Sequence, residues 1–443
     1  MSSTLLLSAG VPGMGVCDVR TTDGLVTQIG SLSPLPGDEL HDLSGYLLLP
    51  GLVEPHVHLD KIFSAPCELT TGAPPLSGLR DAIDRHESVN EQAAGPDARE
   101  FASISSGADS VAERAERALH RYLANGTTAV RCHVGCGRAI DAASLRAVLA
   151  VRERMRGLIE VQIVADIGWP RGIQWSEHSQ SLRPALRAGA DLIGGYPSLE
   201  GDPEEAIDAC LAVAREHRCG VDFHLDEAMD PDEQDVRYLA RRVRADPHVG
   251  PVTASHCVSL GCCEPAVQRE IAAEIADAGI SVITNPMTNL YLQDRPAAQF
   301  RGLTAIQALA DAGVTIAAGS DNVQDAFNPV GRCDPLEVAS LLVTAAQCEV
   351  GDAFAMVSTA ARAVLGLPPA GPRIGAVADL LAVRCDSVTA AVASASADRM
   401  VFTAGRLVAR SRLDTWVAEP MTGEASADPR LHRTTRVDKE HHR

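Results

Sequence analysis

The spacing of apolar and polar residues changes period repeatedly along the chain, and the changes mark its organisation. From Val111 to Ala124 apolar residues recur at helical spacing, Asn125-Gly126 stops the helix, and Thr127 to Val134 follows as a β-branched apolar run. The same helix-then-strand order continues to residue 321. Strands are expected at Ile159 to Asp166, Asp191 to Tyr196, Gly220 to Asp226, Pro251 to Val258, Ser281 to Asn285 and Val314 to Asp321. Upstream, the run Leu47 to Phe63 enters through Pro50-Gly51 and supplies one more strand, for a total of eight. Eight strands alternating with helices predict an α/β protein with a closed (β/α)8 TIM-type barrel whose chemistry sits at the C-terminal strand ends. An open doubly wound sheet is the competing topology.

The flanks read differently. Residues 1–50 form short strands and turns, with Val26 to Gly30 and Gly45 to Leu49 the clearest. After the barrel, Asp334 to Glu349 and Ala353 to Leu365 read as helices, and Ala378 to Val383 and Met400 to Val408 as strands. Residues 1–50 and 370–420 are therefore expected to pair as a small composite β-sandwich around a catalytic barrel of residues 51–369. Residues 421–443 lack periodicity and are expected to be a disordered tail. The Pro-, Gly-, Ser- and Ala-rich stretch 64–106 exceeds an idle connection in length and reads either as a lid over the site or as a disordered insertion.

Composition narrows the classes. With 46% hydrophobic and 22% charged residues in 443, burial is well supplied. A formal net charge of -19 argues against nucleic-acid binding, which needs a basic surface. No run of eighteen apolar residues and no leader-like N-terminus occur, so membrane spanning and export are not expected. The twelve cysteines form no framework and no paired metal-binding set, which points to thiols in a reducing, cytoplasmic setting. Homo-oligomerisation is left open.

Candidate chemistry lies at the strand ends. His56 and His58 alternate on one strand and so share a side. Two imidazoles with a fixed bite suit a divalent ion such as zinc or ferrous iron. Other strands end in Asp222-Phe223-His224-Leu225-Asp226-Glu227, Thr253-Ala254-Ser255-His256 and Ala317-Ala318-Gly319-Ser320-Asp321-Asn322, polar residues that an apolar core would not need. A barrel would gather three imidazoles and a carboxylate around one ion, leaving a position for water. Each residue has a plainer alternative: Glu227 as a solvated acid, His256 as a core histidine, Asp321 as a helix cap. His133 and Asp166 read as supporting residues, and Asp60 and Lys61 as residues that fix the first loop.

The segments Val53-Glu54-Pro55-His56-Val57-His58-Leu59-Asp60, His224-x-x-Glu227, Thr253-Ala254-Ser255-His256 and Gly319-x-Asp321 resemble the cytosine deaminase branch of the amidohydrolase superfamily, over about residues 45–410. The resemblance implies a (β/α)8 barrel with a small β-sandwich and one divalent metal held by His56, His58, His224 and Asp321. It places His256 beside the activated water, makes Glu227 the proton shuttle and lets Asp321 relay the water's proton. No lysine ends the fourth strand, so a two-metal site on a carbamylated lysine is not expected. Where the family carries a glutamine that reads the pyrimidine edge, this chain has Ile167-Gly168-Trp169-Pro170-Arg171-Gly172, and Asn322 stands where a second acid is usual. A guanidinium offers only donors, which favours acceptor-rich rings.

The function implied is a metal-dependent hydrolytic deaminase of a small amino-substituted N-heterocycle: a cytosine-like pyrimidine, an aminotriazine or a pterin. Arg171, Asn322, Trp169 and Phe327 are the substrate-binding candidates, the two aromatics by stacking. The alternatives are opening of a cyclic amide, removal of an N-alkyl amine, and a binding protein that has lost turnover.

Overall fold

Eight parallel strands follow one another around a barrel in sequence order: β6 (Leu52–Val57), β7 (Thr127–Gly135), β8 (Glu160–Ile167), β9 (Leu192–Gly195), β10 (Gly220–Leu225), β11 (Val252–His256), β12 (Ser281–Thr284) and β13 (Ile316–Ala318). The computed structural model describes residues 3–64, 78–79, 81–84, 110–136, 139–167, 175–199, 202–246, 250–293 and 302–418. Trp169, Arg171, most of 64–106 and the stretch 421–443 lie outside them.

Helices α1 (Val111–Ala124), α2 (Ala139–Arg154), α3 (Leu182–Ala188), α4 (Pro203–His217), α5 (Asp235–Ala245), α6 (Pro265–Asp277) and α7 (Ile306–Asp311) lie between successive strands. Local chemistry sets their ends. Ser110 and Glu113 form a reciprocal capping box at the start of α1, and Gly126, at φ +99°, turns the chain from its end into β7. Asp202 caps α4 ahead of Pro203 in the same spirit.

The barrel closes between its first and last strands. Asp321 N–H donates to His56 O at 2.9 Å and His58 N–H to Asp321 O at 3.1 Å. β13 is shorter than the apolar run Val314 to Asp321 suggests, because Gly319 turns against the seam: a Cβ there would stand 2.9 Å from Glu54, His56 and Asn285.

The terminal strands share one hydrogen-bonded sheet in the order β16-β15-β14-β5-β1-β2-β3, with β4 (Asp38–Asp42) also on β1. Its members are β1 (Ser3–Val11), β2 (Gly15–Thr22), β3 (Leu25–Gly30), β5 (Leu47–Pro50), β14 (Leu380–Val383), β15 (Arg399–Thr403) and β16 (Arg406–Ser411). Alternation along β5 divides its side chains: Leu47 and Leu49 join the core shared with the barrel helices, while Leu48 packs with Leu6, Tyr46, Leu380 and Phe402 in a second core. Each such fully buried side chain contributes about 1.5–3 kcal/mol. Since β5 runs through Pro50-Gly51 directly into β6, this sheet anchors the strand that carries His56.

After β13, α8 (Pro335–Ala345) is followed by two helices where the periodicity from Ala353 to Leu365 suggests one: α9 (Val350–Met356) and α10 (Thr359–Val364). The break falls at Val357-Ser358, where Val357 O accepts Val53 N–H at 2.9 Å and Ser358 Oγ bonds Phe354 O. It turns α10 beneath the barrel, where Ala361, Val364 and Leu365 meet Val53, Ala129, Ile283 and Ala317. Buried Arg131 ties this plug to the interior, donating to Val364 O at 3.0 Å and to Asp222 Oδ2 at 2.8 Å. Arg131→Met should cost roughly 3–5 kcal/mol, since it breaks a buried ion pair and leaves Asp222 only the charge of His133, which Asp166 shares; thermal unfolding at the wild-type temperature would contradict this role.

Candidate metal centre and active site

His56 is the penultimate residue of β6, and its environment assigns its tautomer. Ser255 Oγ lies 2.8 Å from Asp222 Oδ1 and 2.9 Å from His56 Nδ1. The hydroxyl proton goes to the carboxylate, so the oxygen accepts from His56 Nδ1–H and the lone pair of His56 is left on Nε2. That Nε2 is buried, has no hydrogen-bond partner, and points at Asp321 Oδ1, 3.5 Å away. His58 Nε2 stands 3.2 Å from Asp321 Oδ1 and 3.2 Å from His224 Nε2.

Two nitrogens at that distance, or a nitrogen and an otherwise unpaired carboxylate oxygen, are what ligands about 2.0–2.2 Å from a common tetrahedral ion present to one another. Among the described residues, His56, His224, His256 and Asp321 bring ligand atoms within 4.8 Å of each other, and His58 adjoins them. Three of the four ligands expected from the sequence, His56, His224 and Asp321, thus stand together with His256, while His58 Nε2 adjoins Asp321 and His224. Burial holds His56, His58 and His224 below the usual imidazole range, which keeps their lone pairs free. Burial would raise the Asp321 carboxyl, but the facing His56 and His58 outweigh it and hold it well below the usual range. Asp321 and His256 also carry left-handed backbones, at φ +62° and +76°, conformations that non-glycine residues adopt mainly where the surroundings enforce them.

A charged layer lies under this cluster. His133 stacks on His56 with ring centroids 4.0 Å apart, 3.0 Å from Asp166 Oδ2 and 3.7 Å from Asp222 Oδ2. Burial opposes its charge, yet Asp166 and Asp222 hold its pKa up to about 9. At the seam, Glu54 accepts from Ser320 N–H, Ser320 Oγ–H and His56 N–H. Burial pushes its carboxyl up to about 7.

On the open side is a cavity of about 440 Å³ lined by Leu79, Tyr196, His224, Glu227, Asn289 and Leu292, among others. The Glu227 side chain is 15% exposed, and its Oε2 lies 3.9 Å from His256 Nδ1. Burial, with Asp321 and Glu233 nearby, pushes its pKa up to about 8. The carboxamides of Asn289 and Asn285 flank the His256 ring, with Asn289 Nδ2 3.0 Å from its Nδ1 and Asn285 Nδ2 3.4 Å from its Nε2. Of the substrate-binding candidates, Phe327 packs with Leu79 and Leu292 at the cavity wall. Asn322 instead spends its carboxamide on Asp325 at 2.7 Å, inside its own loop. Trp169 and Arg171 fall outside the described residues.

Sequence reasoning missed Glu54, Arg131, Asp222, Ser255 and Asn289 as members of the site. A signal existed for two of them: Arg131 and Asp222 are charges within otherwise apolar strand runs, and a buried charge needs a partner.

The sequence profile described as the Amidohydrolase family matches residues 88–419. This chain belongs to that family. It is 28% identical over 410 residues to the pterin deaminase of Rhizobium rhizogenes, covering 91% of this chain and 90% of that protein. The solved structure of N-isopropylammelide isopropylaminohydrolase from Burkholderia multivorans is 27% identical and matches with a TM-score of 0.75, covering 93% of this chain and 99% of that one. That of 5-methylcytosine deaminase from Klebsiella pneumoniae, 23% identical with a TM-score of 0.79 over 94% of this chain and 100% of that one, shares the fold. The amidohydrolase is a hydrolytic enzyme acting on C–N bonds, and its histidine-aspartate cluster implies a divalent metal. No helix among the described residues is long and apolar enough to cross a membrane.

Removing the ion should leave the clustered donors facing one another unsatisfied. Chelated protein is therefore expected to unfold at a lower temperature than protein reloaded with a divalent ion, and Asp321→Asn and His224→Ala should erase the difference. A melting temperature indifferent to chelation would speak against ion binding here.

Proposed function

We propose that this amidohydrolase is a metal-dependent deaminase of a small amino-substituted N-heterocycle, working in the cytoplasm. The observation that carries the reading is Glu227: a carboxyl that lines the cavity together with His224, three residues beyond it, and lies 3.9 Å from His256 Nδ1. A divalent ion, zinc or iron, held by His56, His58, His224 and Asp321 would supply the Lewis acidity that makes water nucleophilic near neutral pH.

The chain's own residues then manage the protons. Glu227 protonates a ring nitrogen as the water oxygen adds to the amino-bearing carbon, and Asp321 takes one proton of that water. The His256 ring, beside the ligand cluster, steadies the charge that develops on the oxygen. Glu227, now a carboxylate, takes the remaining hydroxyl proton as the carbonyl forms and hands it to the amine, which departs as ammonia. The proton on Asp321 returns to Glu227, and both acids are restored. A cavity of about 440 Å³ is of the size that holds a one- or two-ring heterocycle. The likeness to a pterin deaminase across nine-tenths of both chains supports that class. Arg171, Trp169 and Phe327 complete the proposed substrate contacts, with Arg171 and Trp169 assigned from sequence.

Removal of an N-alkyl amine would use the same steps with a different leaving group, and the likeness to N-isopropylammelide isopropylaminohydrolase favours it as the second reading. A panel of pterin, ammelide, N-isopropylammelide, cytosine and 5-methylcytosine separates the two. Ammonia from at least one amino-heterocycle is expected; isopropylamine alone would move the assignment to the second reading. Glu227→Gln should lower kcat by about 10²–10⁴-fold while the ion content stays at the wild-type level. Survival of turnover in that variant would remove Glu227 from the mechanism.

A further inference from the structure

Apart from His224, the described ionisable side chains that line the cavity are all acids, Asp81, Glu227 and Glu233, and no described lysine or arginine lines it. The mechanism uses Glu227 and leaves Glu233 without a task. Glu233 is half-buried in the loop between β10 and α5. The charges felt most at its carboxyl, those of Asp235 and Asp230, are negative too. Its own charge reaches Glu227.

The carboxyl has acceptor capacity to spare. Ala228 N–H and the Ser198 hydroxyl reach it. The hydroxyl, however, carries one proton and stands 2.7 Å from Asp235 Oδ2, so it serves one of the two acids at a time. A carboxylate offers about four lone-pair sites, and these two donors leave most of them open. The loop is also held in place. Buried Asp226 accepts the N–H groups of Asp235 at 2.8 Å and Val236 at 3.2 Å where α5 begins, and Glu233 N–H donates to Asp230 O at 3.1 Å. The carboxyl is thus presented from a fixed backbone, which lowers the cost of ordering it on a ligand.

A second, independent feature of the same cavity points to a bound polar ring. Asn289 lines it at 5% exposure, with one end of its carboxamide 3.0 Å from His256 Nδ1 and the other buried without a hydrogen-bond partner. A buried polar atom left open on a cavity wall is satisfied when a ligand brings the matching group.

We propose that Glu233 is a substrate-binding residue that accepts a hydrogen bond from an N–H group of the heterocycle other than the departing amine. The inference rests on the deaminase reading above and narrows its substrate class to rings that carry a second donor, an additional amino group or a ring N–H.

The test is equilibrium binding to metal-loaded protein in a Glu227→Gln background, so that turnover does not consume the probe. Three probe pairs share an amino-bearing ring and differ by one donor: 2,4-diamino-1,3,5-triazine against 2-amino-4-methyl-1,3,5-triazine, 2,4-diaminopteridine against 2-amino-4-methylpteridine, and pterin against 3-methylpterin. With Glu233 present, the donor member of at least one pair should bind roughly 10-fold to 100-fold more tightly, the scale of a hydrogen bond to a charged group. Glu233→Met should abolish that preference. Glu233→Gln, which keeps the shape and a neutral acceptor, should cut it to roughly 3-fold to 10-fold, because bonds to neutral acceptors are about half as strong. Ion content should stay unchanged in both. In turnover with Glu227 intact, both variants should raise KM for the donor-bearing substrate more than they lower kcat.

An undiminished donor preference in either folded, metal-loaded variant overturns the proposal. So does equal weakening of both members of every pair, which would make Glu233 a packing element of the wall, or the lack of a donor preference in all three pairs while Glu233 is present. Donor-selective, Glu233-dependent binding without ammonia release from any amino-heterocycle would sustain the Glu233 assignment and reject the deaminase reading instead.

Discussion

The arrangement depends on one seam, where the first barrel strand meets the last. A parallel barrel places its first and eighth strands side by side only if closure is completed, and here closure runs through the residues proposed as ligands: the backbones of His56, His58 and Asp321 exchange the hydrogen bonds that join β6 to the end of β13. Ligands more than 260 residues apart in sequence are thus fixed by the same bonds that complete the fold. Glu54 reinforces the seam by gathering Ser320 and His56 onto one buried carboxyl, and Gly319 gives it room. Metal-site geometry and barrel closure are one structural event, so a change that loosens the seam is felt by both.

Beneath the ligands, the polar interior sets their chemical state. Arg131, Asp222 and Ser255 form a chain that ends on His56 Nδ1 and leaves its other nitrogen unprotonated. Such a chain is costly to bury, and its members are retained in a form that makes sense only if each partner is present. The desolvation that would neutralise an isolated carboxylate at Asp222 is outweighed by Arg131 and His133. The result is a stack from floor to cavity: the apolar plug of α10, the charged layer, the ligand cluster, and above it the acid and the histidine that face the cavity. Each layer orients the one above it.

Much of this was legible in the sequence, for reasons that differ by residue. The alternation of helix and strand periods gave the barrel, because a parallel sheet with covered faces writes itself as repeated apolar runs. His56 and His58 stood out because a two-residue spacing at a strand end fixes their relative direction without any tertiary information. His224 and Asp321 became readable once the barrel was assumed, since closure makes all strand ends neighbours. Glu54, Ser255 and Asn289 were not readable as site residues: each acts through a hydrogen bond across to another strand or loop, and that partner depends on register, which one strand's pattern does not carry. Asn322 shows the converse, since its position beside Asp321 suggested substrate while its side chain is bound to Asp325 in the same loop. The split of Ala353 to Leu365 into two helices was hidden because the break at Ser358 serves a tertiary contact, Val53 N–H to Val357 O, and has no Pro or Gly to announce it.

X-ray absorption on protein loaded with a single divalent ion reads the ion's immediate neighbours without requiring turnover. A shell of three imidazole nitrogens and a carboxylate oxygen at about 2.0–2.2 Å is expected, lost when His56 or Asp321 is replaced. A sulfur shell at about 2.3 Å, or a first shell unaltered by those replacements, would place the ion elsewhere and contradict it.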